Sequence, residues 1–160
     1  MNKNHIIIAS LFMLSLSTAA TAAPTASAND MQGCQAYISF INDKVDSTSK
    51  KYPTDELAKI KSGLNIYNNY IQTEVITPTL NKLSSNNAEK VAEYQQQIDS
   101  ANAQIVKSLH ASYPQDRFFM DFAVSINDGC VKKSVPAEGS SDYQSLETAL
   151  KLIIKLARQN

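Results

Sequence analysis

An all-α fold is what this sequence predicts: a disulfide-stapled bundle of about five helices around a long central antiparallel helical hairpin. Three observations lead there. Apolar residues recur at three- and four-residue steps along nearly the whole chain, as in helices that bury one stripe. Four glycines and five prolines in 160 residues are too few for an all-β fold with its many tight turns. Finally, the only two cysteines, Cys34 and Cys130, follow a segment that reads as an export signal. An oxidising destination is expected to join them across 96 residues. In the chain-entropy account, closing so long a loop stabilises the fold by about 4–5 kcal/mol.

At the N-terminus, Lys3 provides a short positive region, and the apolar run from Ile6 to Leu16 has signal-peptide length. Small residues follow, with Ala20-Thr21-Ala22 as a good cleavage site and Ala26-Ser27-Ala28 as a second. The expected division is therefore a signal peptide over 1–22, a flexible mature start over 23–29 and a single helical domain over 30–160. The apolar run is too short to span a bilayer, so no membrane insertion is expected. Met31-Gln32-Gly33-Cys34 resembles a lipoprotein box only faintly, because Asn29-Asp30 separates it from the apolar run. Acylating Cys34 would also leave Cys130 without a partner, so a periplasmic protein is expected rather than a lipoprotein.

The first helix, about Asp30 to Lys50, places Cys34, Tyr37, Ile38, Ile41 and Val45 on one face. Tyr52-Pro53 stops it, and Thr54 is placed to cap a second helix with Asp55 and Glu56 at its positive end. That helix carries Leu57, Ile60, Leu64, Tyr67, Ile71 and Val75 as a bundle seam. Pro78 lacks the N–H that would bond to residue 74, which predicts a kink or an end there, with a brief resumption through Leu80 and Leu83. Ser84 to Asn87 is a break, and Asn86 with Glu89 has capping-box spacing for a third helix. Val91, Tyr94, Ile98, Ala101, Ile105 and Leu109 continue its seam to about Ala111, and the short connection makes the two long helices a hairpin. Tyr113-Pro114 breaks the chain before a fourth helix with Phe118, Phe119, Phe122, Ala123, Ile126 and Cys130 inward. The loop from Val135 to Ser141 leads to a last helix, about Asp142 to Arg158, burying Leu146, Leu150, Ile153 and Ala157. The cystine requires the first and fourth helices to be neighbours.

Composition excludes some functions. Removing residues 1–22 takes away Lys3 and no acid, leaving 14 basic and 15 acidic side chains, a net charge of −1. Binding to nucleic acid or anionic lipid would need a basic excess. His110 is the single histidine beyond the signal, too few nitrogen ligands for zinc once the sulfurs are oxidised, so no metal is expected. His110 with Met120 suggests a haem-binding bundle, yet no C-x-x-C-H attachment sequence occurs and Met120 lies among phenylalanines, where it fills core space. No cofactor is expected; a small-ligand or haem-binding bundle is the alternative kept. There is no G-x-S-x-G elbow and no glycine-rich phosphate loop. Carboxylate pairs such as Asp43 with Asp46, or Glu89 with Glu93, read as solvated helix faces. These residues point away from an enzyme.

Seven tyrosines and no tryptophan are a marked bias. Tyr67 and Tyr94 fall on the seams, whereas Tyr70 and Tyr113 fall off them, and tyrosine is enriched where proteins meet partners. The breaks at 84–87 and 112–116 are thus the recognition candidates, since exposed loops on a rigid scaffold often carry binding.

Two segments carry a family resemblance. Cys34-Gln35-Ala36-Tyr37-Ile38-Ser39-Phe40-Ile41-Asn42-Asp43 is similar to the C-x-G-Y-I-x-G-V-x-D opening helix of the Rap/Tai-type immunity proteins, exported helical proteins of bacteria. Tyr113-Pro114-Gln115-Asp116-Arg117 resembles their H-P-E-x-R turn, and a helix ending in cysteine follows. Ala36 and Phe40 stand where the family has glycines, and Gly129-Cys130 where it has Pro-Cys. The resemblance implies a stoichiometric inhibitor of a secreted peptidoglycan amidase, commonly a homodimer. Tyr113, Gln115, Asp116 and Arg117 then form the candidate partner-contact loop, while Cys34, Tyr37, Ile38 and Cys130 are structural. The function expected is a periplasmic, non-enzymatic protein-binding module whose partner is another protein.

Overall fold

Helix α1 (Ala28–Ser47) opens in a reciprocal cap. The hydroxyl of Ser27 accepts from the Asp30 N–H at 3.2 Å, and the Asp30 carboxylate accepts from the Ser27 N–H at 3.4 Å. The helix therefore begins before Asp30 and takes in part of the stretch expected to be flexible. The structure, a computed structural model, describes residues 26–48, 50–115 and 119–159, the side chains of 119–121 excepted. The expected export signal over 1–22 lies outside the described residues, as do Asp116, Arg117 and Phe118. Every regular element among the described residues is helical.

The second rod runs from α2 (Thr54–Tyr70) through a π-helical stretch, Ile71–Ile76, into α3 (Thr77–Leu83). Pro53, with φ fixed at −56°, takes the cap position expected of Thr54. Its whole expected seam is buried: Leu57, Ile60, Leu64, Tyr67, Ile71 and Val75, with Leu80 beyond. Pro78 does not end the rod. The wider π turn precedes it, with the Thr77 N–H reaching back five residues to the Gln72 carbonyl, so the helix changes its bonding pattern before the missing donor arrives.

At the tip Ser85 and Asn86 adopt left-handed backbone, and the Asn86 N–H closes onto Asn81 O at 2.8 Å. Asn87, rather than Asn86, then caps α4 (Ala88–Ser112) by accepting from the Lys90 N–H. Helix α5 (Phe119–Val124) passes into a second π stretch, Ser125–Val131, which carries Cys130. Ser140 caps α6 (Ser141–Ala157).

Side-chain pairs fix the packing. Gln35–Gln72, Asn42–Asn65 and Asp46–Lys61 run up α1 and down α2, so these two are antiparallel. Gln35–Asn102 and Asp43–His110 are both 67 residues apart, so α4 runs parallel to α1. Lys155 on Glu56 and Ala149 on Gly63 set α6 antiparallel to α2. Helix α1 thus touches α2, α4 and α5 and is buried on several sides. Met31, Ala36 and Phe40 are buried beyond the one expected face, whereas Tyr37 is half-buried.

The expected staple is present: Cys34 and Cys130 are joined with Cα atoms 5.8 Å apart, and α1 contacts both α5 and the following π stretch. Beside it Lys133 donates to the Asp30 carboxylate at 2.8 Å. Helix α6 turns Leu146, Ala149, Ile153 and Leu156 inward, leaving Leu150 and Ala157 half-buried. The reason is its close crossing with α2. A Cβ on Gly63 would overlap the Ser145 carbonyl oxygen and come within 2.7 Å of the Ala149 Cβ. The approach therefore selects the small face of α6.

Candidate functional site

Helix α4 packs on α3 near the hairpin tip and on α1 further along. Between α4 and α2 a groove of about 750 Å³ remains, with α1 as its floor. This explains why α4 buries Ile98 and leaves Val91, Tyr94, Ala101, Ile105 and Leu109 half-buried. Gln35 and Ser39 come from α1, Asn68 and Gln72 from the second rod, and Asp99, Asn102, Val106, Lys107 and His110 from α4.

A directed chain of amides crosses the groove. Asn102 Nδ2 donates to Gln35 Oε1 at 3.5 Å, and Gln35 Nε2 donates to Gln72 Oε1 at 3.2 Å. Gln72 Nε2 donates to Gln95 Oε1 at 2.8 Å, and Gln95 Nε2 ends the chain on the Asp99 carboxylate at 2.9 Å. Each donor polarises the next, so the chain behaves as a unit. Gln35 is 7 % exposed, a buried polar side chain placed by both neighbouring helices. Gln72 lies in the π stretch, where the altered turn re-aims a side chain that ordinary helical spacing would carry elsewhere.

Not every polar atom here is satisfied. Asn68 Oδ1 and Asn102 Oδ1 are buried and find no hydrogen-bond partner among the described residues. A buried acceptor left in this state costs on the order of 1–3 kcal/mol. Both residues line the groove, but these two oxygens are themselves covered and do not face its open space.

The groove ends at His110, whose Nε2 lies 3.0 Å from Asp43 Oδ2 and whose ring meets Phe40 edge-on at 4.8 Å. The candidate contact loop adjoins this end. Its Tyr113 is 38 % exposed, and the ring packs against Phe122 at 5.3 Å and Phe40 at 6.3 Å. Tyr113 therefore helps to hold α4 against α1 and α5 as well as presenting an edge to solvent. Gln115 is exposed. Asp116 and Arg117 lie outside the described residues, and so does the Met120 side chain once paired with His110 as a haem candidate.

On the far side of α2, Tyr67 stacks on Tyr70 and donates to Ser134 O at 2.7 Å, while the Tyr70 hydroxyl lies 3.2 Å from Ser134 Oγ. Burial pushes the Tyr67 hydroxyl well above the usual tyrosine range. This seam tyrosine is structural and ties down the loop before α6.

Among the described residues no three His, Cys, Asp or Glu side chains converge as metal ligands, and no helix is long and apolar enough to cross a membrane. Reasoning from sequence missed the groove residues, because Gln35, Asn68, Gln72 and Asn102 look like any polar helix positions beside a seam. A faint signal was Asn68 with Gln72, four apart and flanking the buried Tyr67 and Ile71. Comparison with known proteins found no match to a family model, to a curated protein or to a solved structure.

Proposed function

We propose that this chain is an exported, non-enzymatic binding module that captures another polypeptide in the groove between α1, α2 and α4. One observation carries the reading: the directed amide chain from Asn102 through Gln35 and Gln72 to Gln95, set across an open groove walled by three helices. Side-chain amides match the N–H and C=O groups of a partner's backbone as acceptor and donor together. Asn42–Asn65 and Asp46–Lys61 tie α2 to α1, and Asp43–His110 ties α4 to α1, so the three walls keep a fixed relation that lowers the ordering cost of binding. A formed disulfide suits an oxidising compartment, and the apolar start of the chain supports delivery to the periplasm. The resemblance of Cys34–Asp43 and Tyr113–Arg117 to immunity proteins gives the partner's class as a secreted peptidoglycan amidase.

The test is photocrosslinking in the source cells, with a photoreactive phenylalanine at Ala103 in the groove and a control at Thr148 on α6. A discrete polypeptide adduct at position 103 and none at 148 is expected. No adduct at 103, or equal labelling at both, overturns the reading. If the adduct is an amidase, co-expression must protect cells from it; continued lysis removes the inhibitor role and leaves the binding module.

A further inference from the structure

Two A-x-A sequences, Ala20-Thr21-Ala22 and Ala26-Ser27-Ala28, follow the apolar run, and both have the form at which leaders are cut. The second of them lies inside the fold. Ala26 is half-buried and packs against the core, and Ala28 is 6 % exposed within it. Ser27 stands between them and builds the cap of α1. Its hydroxyl accepts from the Asp30 N–H at 3.2 Å and donates to the Asp30 carboxylate at 2.7 Å. Its carbonyl accepts the Met31 N–H at 3.2 Å, the first bond of the helix. The three residues are therefore small for reasons of their own. A larger side chain at 28 would enter the core, and a short hydroxyl or amide residue is what closes such a cap. Recognition by a peptidase is not needed to explain the spelling of this segment.

The bond a peptidase would cut here, Ala28–Asn29, belongs to the first turn of α1. Cleavage needs an opened backbone, so the bond is available only while that turn is unmade. Reach separates the two sites as well. Six residues carry the chain from Leu16 to Ala22, at most about 20 Å, and twelve carry it to Ala28, about 40 Å. A leader peptidase is held in the membrane together with the apolar run, so the nearer bond is the one presented to it. The outcomes for the domain also differ. A chain beginning at Asn29 would lack the Ser27 hydroxyl and carbonyl, leaving the Asp30 and Met31 N–H groups unmet. It would also place a new α-ammonium at the positive end of the helix. A chain beginning at Ala23 keeps every one of these contacts.

We infer that the leader is removed between Ala22 and Ala23, and that Ala26-Ser27-Ala28 is the opening cap of the mature domain and not a processing site. In that step water is added across the Ala22–Ala23 peptide bond by a membrane-bound leader peptidase. The carbonyl carbon of Ala22 takes the hydroxyl, and the nitrogen of Ala23 leaves as the new α-amino group. The inference rests on the export proposed above and adds where the mature protein starts.

N-terminal sequencing and intact mass of the protein recovered from the source cells read that start directly. A major species opening Ala-Pro-Thr-Ala from Ala23 is expected. A start at Asn29 overturns the inference and leaves export standing, whereas a chain that keeps residues 1–22 removes both. The cap has its own check, in mature forms exported behind an unrelated leader whose cleavage leaves either Ala23 or Asn29 first. The Asn29 form is expected to melt about 3–6 °C lower, the size of a lost helix cap. Ser27→Ala in the Ala23 form should reproduce part of that fall. Equal midpoints for the two mature forms overturn the inference. Should the Asn29 form fail to accumulate, the Ser27→Ala midpoint decides: a fall supports the cap, and no change overturns it.

Discussion

Asn68 faces the groove one turn before Gln72, and its Oδ1 is buried without a partner. A residue left in that state should be improvable for stability. Asn68→Leu is expected to raise the thermal midpoint by a few degrees, since removing an unmet acceptor recovers about 1 kcal/mol. The same change should weaken the proposed binding in the groove, and calorimetry beside a binding titration reads both. A midpoint that falls would mean Asn68 is satisfied and the groove is not a frustrated surface. Tyr67 presents the opposite case, a polar group fully met. Tyr67→Phe leaves the Ser134 carbonyl without its donor and should cost about 1–3 kcal/mol in urea denaturation. Its pH signature has a definite sign. The folded hydroxyl resists ionisation while the unfolded one ionises near pH 10, so stability is intact below pH 10 and falls as pH rises above it. The Phe variant should lose that alkaline slope. Asp30 governs the acid side: the Lys133 ammonium, with the Ser27 cap, holds its carboxylate at about 2. Its contribution is present above the ordinary carboxylate value near 4 and is lost as pH falls towards 2. Asp30→Asn should flatten the acid limb of a stability profile between those values, and an unchanged limb would deny the bridge a role in solution.

At the scale of elements, α2 and α6 show how one residue orients a helix. Alanine is the better helix former by about 1 kcal/mol, yet at position 63 its Cβ would meet backbone of α6, an overpacking worth about 1–3 kcal/mol. The steric term exceeds the propensity, so Gly63→Ala should destabilise. At Gly33 on α1 a Cβ meets nothing within 4 Å, and there Gly33→Ala should stabilise by up to about 1 kcal/mol. Opposite signs for the same substitution, measured by urea denaturation, check the crossing directly. Elements were also where the sequence was most legible. The α2 seam of Leu57, Ile60, Leu64, Tyr67, Ile71 and Val75 was read in full, because a helix with one buried stripe states its period plainly. The burial of α1 on several sides was not read, since its Met31, Ala36 and Phe40 meet helices distant in the chain. The inward face of α6 was displaced by the contact at Gly63, which no local pattern encodes. The groove was illegible for a related reason. Amides that converge in space, with Gln72 turned by a π stretch, are indistinguishable in sequence from amides that face water.

For the molecule as a whole, the bundle, its staple, the antiparallel hairpin and the pairing of α1 with α5 were legible from two cysteines and a helical period, whereas the seating of α1 against both arms of the hairpin was not. Parallel α1 and α4 with antiparallel α2 follow from tertiary pairs such as Asp43–His110 and Asp46–Lys61. The cystine is the largest single contribution that can be isolated experimentally. Replacing both Cys34 and Cys130 by alanine should remove about 4–5 kcal/mol, a large share of the 5–15 kcal/mol typical of a domain. A urea midpoint unchanged in the double variant would mean that packing alone holds α5 against α1.

The cystine has a mechanical consequence as well. Helix α6 lies outside the ring closed by Cys34 and Cys130, although it packs on α2 within that ring. Tension applied through the two chain ends would first peel α6 away and then come to rest on the sulfur–sulfur bond. The 96-residue separation corresponds to about 330 Å of contour length that stays hidden while the bond is intact. In an optical trap, a reductant should release that hidden length in full, and the groove lies wholly within the shielded part of the thread.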